Sequence, residues 1–95
     1  HGDTARRRLL IVGAGDKGEA FLREIRQGAR LPYKPVAFLD DSQAKHGSYI
    51  HGVPVLGSLD ALPAVVEKSR IEEVVVATPS ASGTELRRIM DLARK

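Results

Sequence analysis

Four apolar residues in succession, Leu9-Leu10-Ile11-Val12, run straight into a glycine series, Gly13-Ala14-Gly15-Asp16-Lys17-Gly18. A strand with one wet face alternates apolar and polar residues, so an unbroken run predicts a strand covered on both faces, as in a parallel sheet. Such a sheet needs helices on each side. The rest of the 95-residue chain has to supply them.

It does so in alternation. Phe21, Leu22 and Ile25 follow Gly18 at helical spacing, with Arg23, Glu24 and Arg26 on the other side, which predicts an amphipathic helix ending near Gly28. Pro35-Val36-Ala37-Phe38-Leu39 reads as a second buried strand closed by the polar turn Asp40-Asp41-Ser42. Gly47, Gly52, Pro54 and Gly57 then break up the chain around a short strand, Val53 to Leu56, whose proline favours an edge position. Leu59, Leu62, Val65 and Val66 predict a helix with Ser58 or Asp60 near its cap and Pro63 in the first turn. Glu73 to Ala77 is the clearest strand. Beyond it Ser82 and Glu85 make a capping box for a helical stripe of Leu86, Ile89, Met90 and Ala93. The expected architecture is α/β in three layers, a mostly parallel sheet of about four strands with helices on both faces, half of a doubly wound fold.

Ninety-five residues suit one domain, and no interior boundary or repeat interrupts them. Residues 1–7 are expected to form a flexible segment or tag remnant and residues 8–95 the domain, itself a fragment of something longer. With no cysteine, disulfides, thiolate metal sites and thiol nucleophiles are excluded, which suits a cytoplasmic protein. The net charge of +3 is mild, and two tyrosines and two phenylalanines cannot interleave a basic stripe, so no nucleic-acid partner is expected. No apolar run is long enough to span a bilayer, so direct membrane insertion is not expected either.

In G-x-G-x-x-G the first glycine permits a sharp turn, the second lets main-chain amides approach a diphosphate, and the third allows helix and strand to pack closely. Gly13, Gly15 and Gly18 hold these places, and the helix they open aims unpaired N–H groups at an anion. Asp40, 22 residues beyond Gly18, ends the next strand, where a carboxylate accepts hydrogen bonds from a ribose. That favours NAD over NADP, since Asp40 would repel a 2′-phosphate. Asp16 opposes a diphosphate unless it faces away or caps the helix. A Walker motif is ruled out because Glu19-Ala20 replaces its Lys-Ser/Thr pair. Thr78, Pro79 and Ser80 leave the last strand at the same sheet edge and are expected to complete an anion pocket. The expected binding residues are thus Gly13, Ala14, Gly15, Asp16, Lys17, Gly18, Asp40, Asp41, Thr78, Pro79 and Ser80.

Catalytic groups are not evident. Neither Tyr33 nor Tyr49 has a lysine four residues on, and no G-x-S-x-G elbow surrounds Ser80 or Ser82. His46 and His51 lie in a glycine-rich loop without a metalloprotease pattern, so no metal site is expected.

IVGAGDKG, VAFLDD, HGSYIHGVPVLGSLDALP and VVVATPSASGTELRRIM together resemble the CoA-binding-like Rossmann domain of CapD-type bacterial polysaccharide biosynthesis proteins. These are membrane-associated nucleoside-diphosphate-sugar epimerases and 4,6-dehydratases. The resemblance runs from about Arg8 to the C-terminus and is most specific at Ile50 to Gly57 and Ala77 to Ser82. It implies a separate catalytic domain elsewhere in a longer parent, a parent on the cytoplasmic face of the inner membrane, and no catalytic residue in this chain. Arg6-Arg7-Arg8 would then flank a membrane helix. The ligand expected is NAD, with a UDP-sugar or CoA as alternatives. The rival readings are an interaction or regulatory module of a membrane-bound sugar-phosphate transferase, pairing copies through its sheet edges, and a redox-sensing domain.

Overall fold

The computed structural model describes residues 6–28 and 32–78. Strand β1 (Arg7–Val12) leads into helix α1 (Asp16–Arg26), followed by β2 (Tyr33–Leu39), a two-residue β3 (Tyr49–Ile50), β4 (Val53–Gly57), α2 (Leu62–Lys68) and β5 (Glu73–Val76). Pro79, Ser80 and the expected last helix, with its Ser82 and Glu85 cap, lie outside the described residues.

The sheet order is β3-β4-β2-β1-β5. β1 pairs in parallel with β2 and β5, and β2 in parallel with β4, whereas β3 lies antiparallel on β4. The mostly parallel three-layer arrangement is the expected one, with five strands among the described residues in place of about four.

Alternation along β1 divides the core. Leu9 and Ile11 point to one face, where they meet Leu22 and Ile25 of α1 together with Phe38, Val53 and Val55. Leu10 and Val12 point to the other, where they meet Leu62 and Val65 of α2 with Ala37, Leu39 and Leu59. The unbroken apolar run is therefore two interleaved faces of period two, each covered by its own helix. Leu9, Leu10, Ile11, Leu22, Phe38, Leu39 and Leu62 are wholly buried. Burial of each such side chain stabilises the fold by about 1.5–3 kcal/mol.

Both strand prolines find places where a missing N–H does little harm. Pro35 sits at a register shift, opposite Leu9, after which Leu10 pairs with Ala37. β4 pairs with β2 only at Phe38 and Leu39, so it does not reach that far. Pro54 was expected on an edge strand, yet β4 lies between β2 and β3. The cross-strand bonds run through its neighbour instead. Val55 N–H donates to the Ser48 carbonyl at 2.9 Å and Val55 carbonyl accepts from Gly47 at 3.0 Å.

Helix ends follow side-chain chemistry. Asp16 and Glu19 stand in the first turn of α1, and Arg23 and Arg26 in its last, all favourable to the helix dipole. α2 is entered through a 3-10 turn, Leu59–Ala61, and carries Pro63 in its first turn as expected. Ser58 precedes that 3-10 turn but makes no side-chain capping bond. The Asp41 carboxylate accepts the Leu59 N–H at 3.1 Å instead. Among the described residues no helix is long and apolar enough to cross a membrane.

Candidate functional site

From β1 the chain moves to β2 and on to β4 in one direction, then crosses back over β1 to β5. The reversal lies between β1 and β5, and in open α/β sheets a crevice opens there beyond the carboxyl ends of the strands. The Gly13–Gly18 turn leaves β1 at that point, and Ala77-Thr78 leaves β5 beside it.

The three glycines differ in what compels them. Gly13 has φ +114°, and a Cβ there would stand 2.7 Å from the Ala77 carbonyl oxygen and 3.0 Å from Thr78 Cγ2. At Gly18 a Cβ would fall 1.9 Å from the Gly13 carbonyl oxygen, because α1 crosses the turn at van der Waals distance. Gly15 is under no such demand. Its φ is −92° and its backbone extended, and the nearest atom to a Cβ would be Lys45 Nζ at 3.7 Å. Two glycines therefore serve the fold, and the middle one leaves the main chain bare towards solvent.

Main-chain amides divide in the same way. Gly13 N–H donates to the Leu39 carbonyl at 2.7 Å and Ala14 N–H to Asp40 Oδ2 at 2.8 Å, so neither is vacant. The first intrahelical bond of α1 is Glu19 N–H to the Gly15 carbonyl at 2.9 Å, and among the described residues no side chain caps the helix. The N–H groups of Gly15, Asp16, Lys17 and Gly18 thus occupy the helix start where no intrahelical acceptor exists. Asp16 is exposed and does not cap them.

Asp40 is the hub. Oδ2 accepts from Ala14, Oδ1 accepts from Ser42 N–H at 2.8 Å, and Lys45 Nζ stands 3.8 Å from Oδ2. His46 Nε2 lies 2.6 Å from the Asp40 carbonyl oxygen, which places the proton on Nε2 because a carbonyl can only accept. Partial burial pushes the Asp40 carboxyl up. The amides of Ala14 and Ser42, with the charges of Lys45 and His46, more than offset it and hold the group below the ordinary aspartate range.

Two open grooves flank the helix start. One, of about 330 Å³, is lined by Ala14, Gly15, Glu19, Tyr49, Ile50 and His51. The other, of about 630 Å³, runs between α1 and β5, where Asp16, Lys17, Phe21, Ala77 and Thr78 contribute to its walls. Of the expected residues, Gly13, Ala14, Gly15, Gly18, Asp40 and Thr78 are brought together around the turn. Asp16 and Lys17 face the β5 side, and Asp41 is engaged in capping the Leu59 turn.

Tyr49, His51, Glu19 and Lys45 had no functional assignment from the sequence. Tyr49 and His51 reach the site because β3 and β4 form a hairpin beside α1, fastened by His51 Nε2 to Glu19 Oε2 of α1 at 2.8 Å and by Arg26 Nη1 donating to the His51 carbonyl at 2.6 Å, while Lys45 reaches it from the 3-10 turn Gln43–Lys45 that follows β2. The close glycines at positions 47 and 52 were the one local signal for that hairpin.

The sequence profile of a family described as "CoA-binding domain" matches residues 1–95. The chain is 38% identical over 79 residues to the probable polysaccharide biosynthesis protein EpsC of Bacillus subtilis (strain 168), covering 83% of this chain and 13% of that protein. It is 33% identical over 81 residues to the capsular polysaccharide biosynthesis protein CapD of Staphylococcus aureus, covering 84% and 14%. It thus spans about one seventh of these relatives, and the resemblance to the CapD type holds. The crystal structure of UDP-D-quinovosamine 4-dehydrogenase from Vibrio fischeri superposes with a TM-score of 0.79 at 32% identity, over 95% of this chain and 72% of that one. RSP, a Rex-family repressor, in complex with beta-NADH, superposes at 0.72 with 16% identity, over 92% and 42%, a likeness of fold alone.

Proposed function

This chain belongs to the CoA-binding domain family, and we propose that it is a noncatalytic nucleotide-binding domain of a longer polysaccharide biosynthesis protein. The ligand in this reading is NAD or a nucleotide-sugar. Its diphosphate lies against the vacant amides from Gly15 to Gly18, and its ribose hydroxyls on Asp40. The observation that carries the reading is Gly15, a glycine that neither backbone strain nor packing requires, at the place where main chain must be bare for a phosphate to approach. Thr78, just past the end of β5, borders the second half of the ligand in this reading. The parent would act as a nucleoside-diphosphate-sugar epimerase or 4,6-dehydratase at the cytoplasmic face of the inner membrane, with its chemistry in another domain.

A second reading has one observation in its favour. Among the described residues β5 pairs on one side only, and an open strand edge invites a partner. In that case the domain is a docking module for the neighbouring domain or a second copy. Calorimetry with NAD, a UDP-sugar and CoA on the unsubstituted 95-residue chain and on its Gly15→Val variant separates the two. Heat abolished by the substitution supports the nucleotide site, and the ligand that gives it identifies the class. Silence with all three favours the docking module.

A further inference from the structure

We infer that Lys45 is a ligand-binding residue of this site, exchanging its loose ion pair with Asp40 for the diphosphate of a nucleotide whose ribose carries a free diol. The inference rests on the nucleotide-binding reading above and adds a group that none of the glycine or strand-end motifs contains.

Three observations place the ammonium there. Among the described residues beyond its chain neighbours, Lys45 Nζ is the atom nearest to the bare face of Gly15, 3.7 Å from where a Cβ would be, which brings the ammonium to the start of α1. Its main chain is held in place. Lys45 N–H donates to the Ser42 carbonyl at 3.0 Å, and its carbonyl accepts from Ser48 N–H at 3.1 Å and Ser48 Oγ at 2.5 Å. Its contact with Asp40 is weak, 3.8 Å from Oδ2, beyond hydrogen-bond reach, with the lysine side chain 41% exposed.

Charge makes such a group necessary. Asp16, Glu19 and Asp40 place three carboxylates around the turn, and of the nearby basic groups Lys17 lies on the β5 side and His51 is engaged with Glu19, so on the Asp40 side a diphosphate meets repulsion that an ammonium has to offset. An ammonium between the turn and Asp40 supplies the counter-charge where the anion lies. Its departure from Asp40 also frees the carboxylate to face sugar hydroxyls. Oδ1 and Oδ2 each hold one main-chain N–H, and a carboxylate oxygen has two acceptor positions, so one remains on each for a ribose diol. With Lys45 drawn to the diphosphate, the ribose end keeps a net negative charge and disfavours a phosphorylated ribose.

The test is titration calorimetry on the 95-residue chain with NAD, CoA, adenosine, UDP-glucose and uridine. It compares the parent with Lys45→Gln, Lys45→Arg and, as a control for net charge, Lys34→Gln, an exposed lysine at the opposite end of β2. The expected result is that Lys45→Gln weakens whichever diphosphate ligand binds by about tenfold. Lys45→Arg should restore most of that, Lys34→Gln should change little, and the parent should prefer the diol ligands to CoA. Equal weakening of nucleoside and diphosphate ligand would overturn the inference, since Lys45 would then act through Asp40. An unchanged diphosphate affinity, or a CoA preference that Lys45→Gln removes, would overturn it too. Binding of no nucleotide by the parent sinks the underlying reading, a result distinct from these.

Discussion

Replacing Gly18 by alanine tests whether the third glycine is there for packing. The added Cβ would sit 1.9 Å from the Gly13 carbonyl oxygen, a main-chain atom that no rotamer change can move, and 3.3 Å from Phe38 Cε1. Ordinary contact begins near 3.4 Å, so α1 must retreat by about 1.5 Å. Leu22 and Ile25 would go with it, and both are buried against β1 and Phe38. A gap of 0.5–1 Å already forfeits roughly a quarter to a half of the dispersion energy across it. Overpacking of this kind costs about 3 kcal/mol, against which alanine's better helix propensity contributes about 1 kcal/mol. The net loss of about 2 kcal/mol lowers the melting temperature of a domain this size by roughly 8–16 °C. Urea titration followed by far-UV circular dichroism reads it directly. Gly15→Ala is the matched comparison, expected to hold stability within about 0.5 kcal/mol because its Cβ meets nothing closer than 3.7 Å. A Gly18→Ala midpoint at or above the parent's would refute the packing argument. Equal losses at both positions would refute the distinction between fold and site glycines.

Other consequences concern charge and strain. Asp40 is held below the ordinary aspartate value, so its contribution to stability is present above about pH 4 and disappears as pH falls through the lower folded value. Asp40→Asn should cost about 1 kcal/mol at neutral pH and flatten the loss of stability below pH ~4 that the parent shows, as measured by urea midpoints across that range. Arg70, just past α2, has φ +53°, a left-handed conformation that glycine adopts freely. Arg70→Gly should therefore raise the unfolding free energy by about 0.5–1 kcal/mol, read as a higher urea midpoint, net of the freedom glycine adds to the unfolded chain. A lower midpoint would mean that the arginine's aliphatic stem packs more tightly than its exposure indicates.

Much of the fold was legible because it rests on short-range periodicity. The apolar run at residues 9–12 needs two covered faces wherever it is placed, and the 21, 22, 25 spacing supplies one of the covers. β3 was not legible, since Tyr49 and Ile50 offer two residues and no alternation to count. Their strand state exists only through pairing with Val53 and Pro54. For the same reason Pro54 was expected at an edge that β3 in fact covers.

What the residue order determined by itself was the glycine turn, the strand before it and the helix after it, because steric limits at φ +114° and hydrophobic spacing act within a few residues. Tertiary structure decided how that turn is used. Asp40 comes 26 residues after the Ala14 amide it accepts, and Lys45 lies 30 beyond the Gly15 face it stands over. Hydrogen bonds and ion pairs act over a few ångströms of space, so only the docking of β2 and its following loop against β1 and α1 could say which amides were engaged and which stayed open.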